Sequence, residues 1–184
     1  MKSKWPSLAG HLLVATPKLM DPNFFQTIIY LMHHDDQGAL GFVLNRPTDE
    51  SLNEVIGDQS DRRPIFDRIQ VLAGGPVNRD QLSVMMIKQM PEGPVGLPDL
   101  VSSIDTLEVY AKKGEFSIFA FRGYAGWSEG QLDEEIRDGA WRVRDMDPII
   151  LNRNIVKGLW PFLNNGDNRW RALLDYLPQN YEWN

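Results

Sequence analysis

Two strand-length apolar runs, Thr27 to Met32 and Ala39 to Leu44, are separated only by the polar stretch His33-His34-Asp35-Asp36-Gln37-Gly38. That length fits an antiparallel hairpin, with Gly38 supplying an unusual backbone angle in the turn. Further runs of strand length, rich in Ile, Val and Phe, lie at Leu12 to Ala15, Ile69 to Ala73, Leu82 to Ile87 and Phe116 to Phe121. In the last, Phe116, Ile118 and Ala120 alternate with Ser117, Phe119 and Phe121. Both of its faces are mostly apolar, which predicts a strand lying centrally in a covered sheet.

Helices are read from their caps. Ser51 with Glu54, Asp105 with Glu108 and Ser128 with Gln131 each have capping-box spacing, in which an N-terminal side-chain oxygen and a residue three positions on satisfy each other's backbone donors. Gly114 predicts the stop of the second helix, and Leu132, Ile136 and Ala140 share one face of the third. Asp167 predicts the start of a fourth, with Trp170, Leu173, Leu174 and Leu177 at helical spacing before Pro178. Hairpin-like strands come first and isolated helices are scattered between later ones. The order lacks the strict alternation that a doubly wound parallel sheet requires, so the expected class is mixed α+β. Met146 to Gly166, with two prolines, four asparagines and little periodicity, reads as a loop draped over the body.

Composition matters mainly for what it excludes. At 184 residues with 42% hydrophobic and 24% charged residues, the chain fits one globular domain spanning residues 1–184. The absence of Cys removes disulfides, thiolate metal sites and cysteine nucleophiles, and suits a reducing compartment; the cytoplasm is the expected location. No apolar stretch follows the basic start before Gly10 and His11, so no signal peptide is expected, and no run reaches membrane-spanning length. A net charge of −6 disfavours nonspecific nucleic-acid binding through a broad basic surface. The short basic pairs Arg62-Arg63, Arg142 with Arg144, and Arg169 with Arg171 read as solvated surface.

Three segments carry a resemblance. The first is Gly10-His11-Leu12-Leu13-Val14-Ala15-Thr16-Pro17, followed by Leu19, Asp21-Pro22 and Phe24, and continuing through Tyr30 and His34 to Gly38-Ala39-Leu40-Gly41 and Asn45-Arg46-Pro47. The second is Gly74-Gly75-Pro76-Val77. The third is Gly123-Tyr124-Ala125-Gly126-Trp127 with Gly130-Gln131-Leu132, Glu135 and Trp141, and Arg169-Trp170 matches a closing motif. In order and spacing these resemble the signature of the bacterial YqgE/AlgH family over nearly the full length. The resemblance implies an α+β fold with a split, strongly bent, mostly antiparallel sheet curling into a partial barrel with flanking helices. It also carries a transcriptional-regulator label but no enzymatic activity, ligand or cofactor. The sequence departs from the family pattern at the Arg/Asp-rich stretch Asp58 to Arg68 and in the tail Tyr181-Glu182-Trp183-Asn184.

Four constellations bear on chemistry. Gly126-Trp127-Ser128-Glu129-Gly130 matches the nucleophile-elbow pattern, yet all three histidines precede Ser128, the wrong order for that hydrolase fold, and the capping box already occupies its hydroxyl. His33-His34-Asp35-Asp36 offers metal-ligand types, but strand alternation lets only alternate pairs such as His34 and Asp36 share an ion; His11 is a third donor if its strand lies beside the hairpin. Gly123 to Trp127 sets two aromatics between small residues at a strand's end. They either floor a pocket for an anionic or planar ligand, with Arg46 as a cation if the loops meet, or pack the strand-to-helix corner. Gly74-Gly75-Pro76 lacks the Lys-Ser/Thr of a phosphate-binding loop and reads as a tight turn or close strand approach.

The candidate ligand-binding residues are therefore His11, His34, Asn45, Arg46, Tyr124 and Trp127, with no metal or cofactor expected. The functional expectation is a regulatory or binding protein acting through a protein partner or a small ligand. The alternative is an enzyme, either a serine hydrolase at Ser128 or a metal-dependent activity near His11 and His34.

Overall fold

The computed structural model describes residues 6–88, 99–100, 103–114 and 116–145. The expected draped loop, the helix from Asp167, the closing Arg169-Trp170 motif and the tail lie outside these residues. The strands are β1 (Leu12–Ala15), β2 (Ile28–Asp35), β3 (Gly38–Val43), β4 (Pro47–Ser51), β5 (Gln70–Ala73), β6 (Val77–Lys88), β7 (Asp99–Leu100), β8 (Phe116–Ser128) and β9 (Trp141–Arg144). The helices are α1 (Leu52–Val55), α2 (Ile104–Lys113) and α3 (Gln131–Arg137), with 3₁₀ turns at Gln59–Asp61 and Pro64–Arg68.

Together the strands make one α+β sheet in the order β4-β5-β8-β3-β2-β1-β9, with β6 pairing β8 and β7. The path is open, so the sheet does not close into a barrel. All pairings are antiparallel except that of β5 with β8. β8 is the shared strand. Its first part pairs with β5 (Val71 opposite Ala120, Ala73 opposite Arg122) and its last part with β3 (Gly41 opposite Ala125, Ala39 opposite Trp127). β6 runs along it from Lys88 opposite Phe116 to Val77 opposite Tyr124. At the fork, Gly74 donates its N–H to the Arg122 carbonyl and accepts from the Val43 N–H, both at 2.8 Å.

Strand alternation builds three apolar layers. Leu12, Val14, Ile28, Tyr30, Phe42, Phe119 and Phe121 face a shared central cluster. The alternate residues of β1 to β3 form a second cluster with Leu132 of α3 and with Trp127 and Trp141. Ile118 and Ala120 belong to a third with Leu52, Phe66 and Leu107, under α1 and α2. Within β8 the parity therefore switches. Phe119 and Phe121 face the central layer, but Ala125 and Trp127 face the second, and Tyr124 packs centrally. The switch falls at Gly123, whose φ is +70°. A Cβ there would stand 2.6 Å from the Gly75 carbonyl oxygen and 2.7 Å from that of Val77, so both conformation and space select glycine.

Several expectations are corrected in detail. The hairpin turn spans only Asp36 and Gln37, because β2 continues through both histidines to Asp35. The cap of α2 is Ser103, whose side chain accepts from the Thr106 N–H, two residues before the expected Asp105; Gly114, in the left-handed conformation, ends the helix as expected. The Ser51 box forms, with the Ser51 N–H donating to Glu54 at 2.6 Å. Ser128 and Gln131 do pair, but Ser128 closes β8 and α3 starts only after Gly130. The Gly123 to Trp127 motif lies within a strand rather than at its end, since pairing with β3 carries the ladder on to Ser128.

Candidate functional site

The fork in the sheet leaves a cavity of about 320 Å³ lined by Asn23, Val43, Arg46, Thr48, Ala73, Gly75, Pro76, Arg79 and Arg122. Three separate elements deliver its arginines. Arg46 comes from the bend between β3 and β4, and Arg122 from β8 immediately before Gly123, where the parity of the strand switches. Arg79 comes from the part of β6 where the register with β8 shifts between Val77 and Leu82; Asn78 beside it takes a positive φ of 48°.

Each guanidinium commits one nitrogen to a neighbour within the described residues. Arg46 Nη2 donates to the carbonyls of Pro22 and Phe25, both at 3.2 Å. Arg79 Nη2 donates to Asn23 Oδ1 at 3.3 Å, and Arg122 Nε to Glu50 Oε2 at 3.1 Å. A guanidinium has five N–H donors, so donor capacity remains on three residues that line a cavity of suitable size for a small molecule. None of the lining residues is acidic among the described residues, in a chain of net charge −6. Burial lowers the pKa of Arg46, with the nearby Asp21 carboxylate opposing the shift. Hydration of a cation has thus been given up with no contacting carboxylate on it among the described residues, an arrangement that favours an incoming anion.

Asn45 organises the rim rather than the interior. It is buried, accepts from the Ile28 N–H at 2.9 Å and donates to the Gln26 carbonyl at 2.8 Å. That clamps the bend whose Phe25 carbonyl receives Arg46. Of the other expected residues, Tyr124 is half-buried against the central cluster, and its backbone is what Gly75 packs upon. The close-approach reading of the Gly74-Gly75 turn is what the backbone contacts show.

Trp127 lies in the second cluster, stacked on Phe24 at 6.0 Å and donating its indole N–H to Glu135 at 2.9 Å. It is not among the cavity-lining residues, because the parity switch at Gly123 turns it to the other face. His34 is buried; its Nδ1 accepts the Leu8 N–H at 3.1 Å, which puts the proton of the neutral ring on Nε2, 3.6 Å from Asp133. His11 Nδ1 contacts the Leu8 carbonyl at 3.1 Å, and its Nε2 lies 3.5 Å from Asp145. The structure therefore brings Arg46 to the cavity and leaves His11, His34 and Trp127 elsewhere.

Among the described residues no group of three or more His, Asp or Glu stands close enough to hold a metal ion. The Ser128 hydroxyl donates to Gln131 Oε1 at 3.1 Å, and each histidine ring has a partner other than Ser128. No helix among the described residues is long and apolar enough to cross a membrane. Arg79 and Arg122 were missed by sequence reasoning. Each stands beside a glycine-rich segment, Arg79 just after Gly74-Gly75-Pro76-Val77 and Arg122 just before Gly123-Tyr124, and a cation flanking each segment was the available signal.

Fold and cleft together define an α+β protein with a forked, open sheet and an arginine-lined cavity at the fork. Residues 12–182 match the AlgH-like family model, and the chain belongs to that family. A UPF0301 protein of Streptomyces coelicolor is 38% identical over 167 residues, covering 84% of this chain and 83% of that protein. One from Stutzerimonas stutzeri is 38% identical over 162 residues, covering 82% and 84%. The solution structure of the AlgH protein from Pseudomonas aeruginosa superposes with a TM-score of 0.62 at 29% identity, covering 98% of this chain and all of that one. A crystal structure of a Corynebacterium diphtheriae protein shares the fold, with a TM-score of 0.65 at 19% identity over 98% of this chain and 92% of that one.

Proposed function

We propose that this protein is a cytoplasmic regulatory or binding protein that acts through a small anionic ligand held in the fork of the sheet. One observation carries the reading: Arg46, Arg79 and Arg122, remote in sequence, converge on one cavity whose lining, among the described residues, has no acidic side chain. Arginine forks are suited to carboxylate and phosphate oxygens, and a partly desolvated guanidinium gains most from an anion. A ligand-responsive role fits the regulator label of the family resemblance better than direct DNA binding, which the charge of −6 opposes.

The test is a thermal-shift screen against phosphorylated metabolites, nucleotides and small acids. A ligand at a hundred times its dissociation constant adds about 2.7 kcal/mol, which raises the midpoint by about 5–10 °C in a domain of this size. Arg46→Ala should abolish the shift while the variant remains folded. A well-folded wild-type sample that no anion stabilises would overturn the reading. Attention would then move to a protein partner, for which exposed Met20 and Phe25 on the loop between β1 and β2 are the apolar candidates.

A further inference from the structure

The cleft already holds one carboxylate at its edge. Glu50 Oε2 accepts from Arg122 Nε at 3.1 Å, but the two side chains are 44% and 33% exposed, so water competes for both. Glu50 also rides on a loosely tied part of β4. That strand pairs with β5 at Pro47 opposite Leu72 and at Ser51 opposite Gln70, and the register is irregular between those points. In the gap, Thr48 Oγ1 donates to the Val71 carbonyl at 3.0 Å and accepts the Glu50 N–H at 3.2 Å. A side-chain hydroxyl, rather than the ladder, therefore holds the backbone of Glu50.

The number and kind of cations bear on which anion fits. A carboxylate offers two oxygens, whereas a phosphate ester offers three terminal oxygens. Three guanidiniums from three strand segments provide one fork for each. We infer that the ligand is a small phosphate ester whose phosphate is held by Arg46, Arg79 and Arg122 and takes the place of the Glu50 carboxylate on Arg122. Glu50 is then the site's internal counter-anion, released when the cleft fills. Because Ser51, the next residue, caps α1, release of Glu50 falls at the start of that helix. This inference rests on the anionic cleft of the proposed function.

The experiment is calorimetric titration of the full chain with inorganic phosphate, glycerol 3-phosphate and succinate. It compares wild type with Glu50→Gln and with Asp49→Asn, which removes an exposed carboxylate one residue away. Glycerol 3-phosphate should bind more tightly than succinate. Glu50→Gln should tighten both phosphates by about two- to fivefold, the factor that a half-exposed ion pair supplies, and Asp49→Asn by clearly less. Equal tightening by the two variants would reduce the effect to general charge and overturn the displacement of Glu50 while leaving the cleft. Succinate binding as well as glycerol 3-phosphate would overturn the phosphate assignment. Folded wild type and Glu50→Gln that bind none of the three would overturn the anionic cleft itself.

Discussion

Near α3, Trp127 and Trp141 donate both indole N–H groups to one oxygen of Glu135, at 2.9 and 2.7 Å, while Gln131 donates to the other at 2.9 Å. At the fork, Arg122 on the same strand as Trp127 gives one nitrogen to a half-exposed carboxylate and turns toward a cavity. The first region saturates its polar groups inside an aromatic cluster, as stability demands. The second keeps cationic donors in reserve at some cost in hydration, which stability does not require. The contrast separates residues that hold this fold from residues available for recognition.

Four substitutions would break or sharpen it. Trp127→Ala removes a buried ring from the stack with Phe24 and Trp141. It should cost about 3–5 kcal/mol by chemical denaturation; a loss under about 1 kcal/mol would mean the aromatic side is not the stabilising one. Glu135→Ala strands two indole donors and should cost about 2–3 kcal/mol by the same measurement.

Tyr30, between the two regions in the central cluster, ranks next. Burial raises its pKa from 10.0 to about 12. The raised value means its contribution is fully present below pH 10 and is lost as pH rises from 10 to 12, because the unfolded chain ionises first. Tyr30→Phe should therefore flatten the alkaline limb of stability by about 2 kcal/mol; an unchanged limb would contradict the assignment. Arg79→Ala, on the exposed rim, should leave stability within about 0.5 kcal/mol yet weaken any anion bound by the wild type. Stability lost with binding intact would reverse the comparison.

Much of the sheet was readable because apolar strands declare themselves. Leu12 to Ala15 is a strand with the bounds its sequence suggests, and the Phe116 run is indeed central and covered. β4 was not readable, since Pro-Thr-Asp-Glu-Ser has no apolar face, and β9 was hidden by the arginines of Trp-Arg-Val-Arg. The cleft was legible only through Arg46. Its partners become neighbours through the parallel pairing of β5 with β8 and the register shift of β6 between Val77 and Leu82, and local patterns encode neither. The parity switch at Gly123 explains why Trp127, close to Arg122 in sequence, faces away from the cavity.

The sharing of β8 also constrains how the chain comes together during synthesis. β3, β5 and β6 all pair with a strand that is translated after them. Until Phe116 to Ser128 has emerged from the ribosome, β3, β5 and β6 present unsatisfied strand edges and none of the three apolar clusters is complete, since each takes residues from β8. The nascent chain therefore carries a late commitment step, and a stalled or truncated product ending before this strand is the form most exposed to aggregation and to chaperone capture.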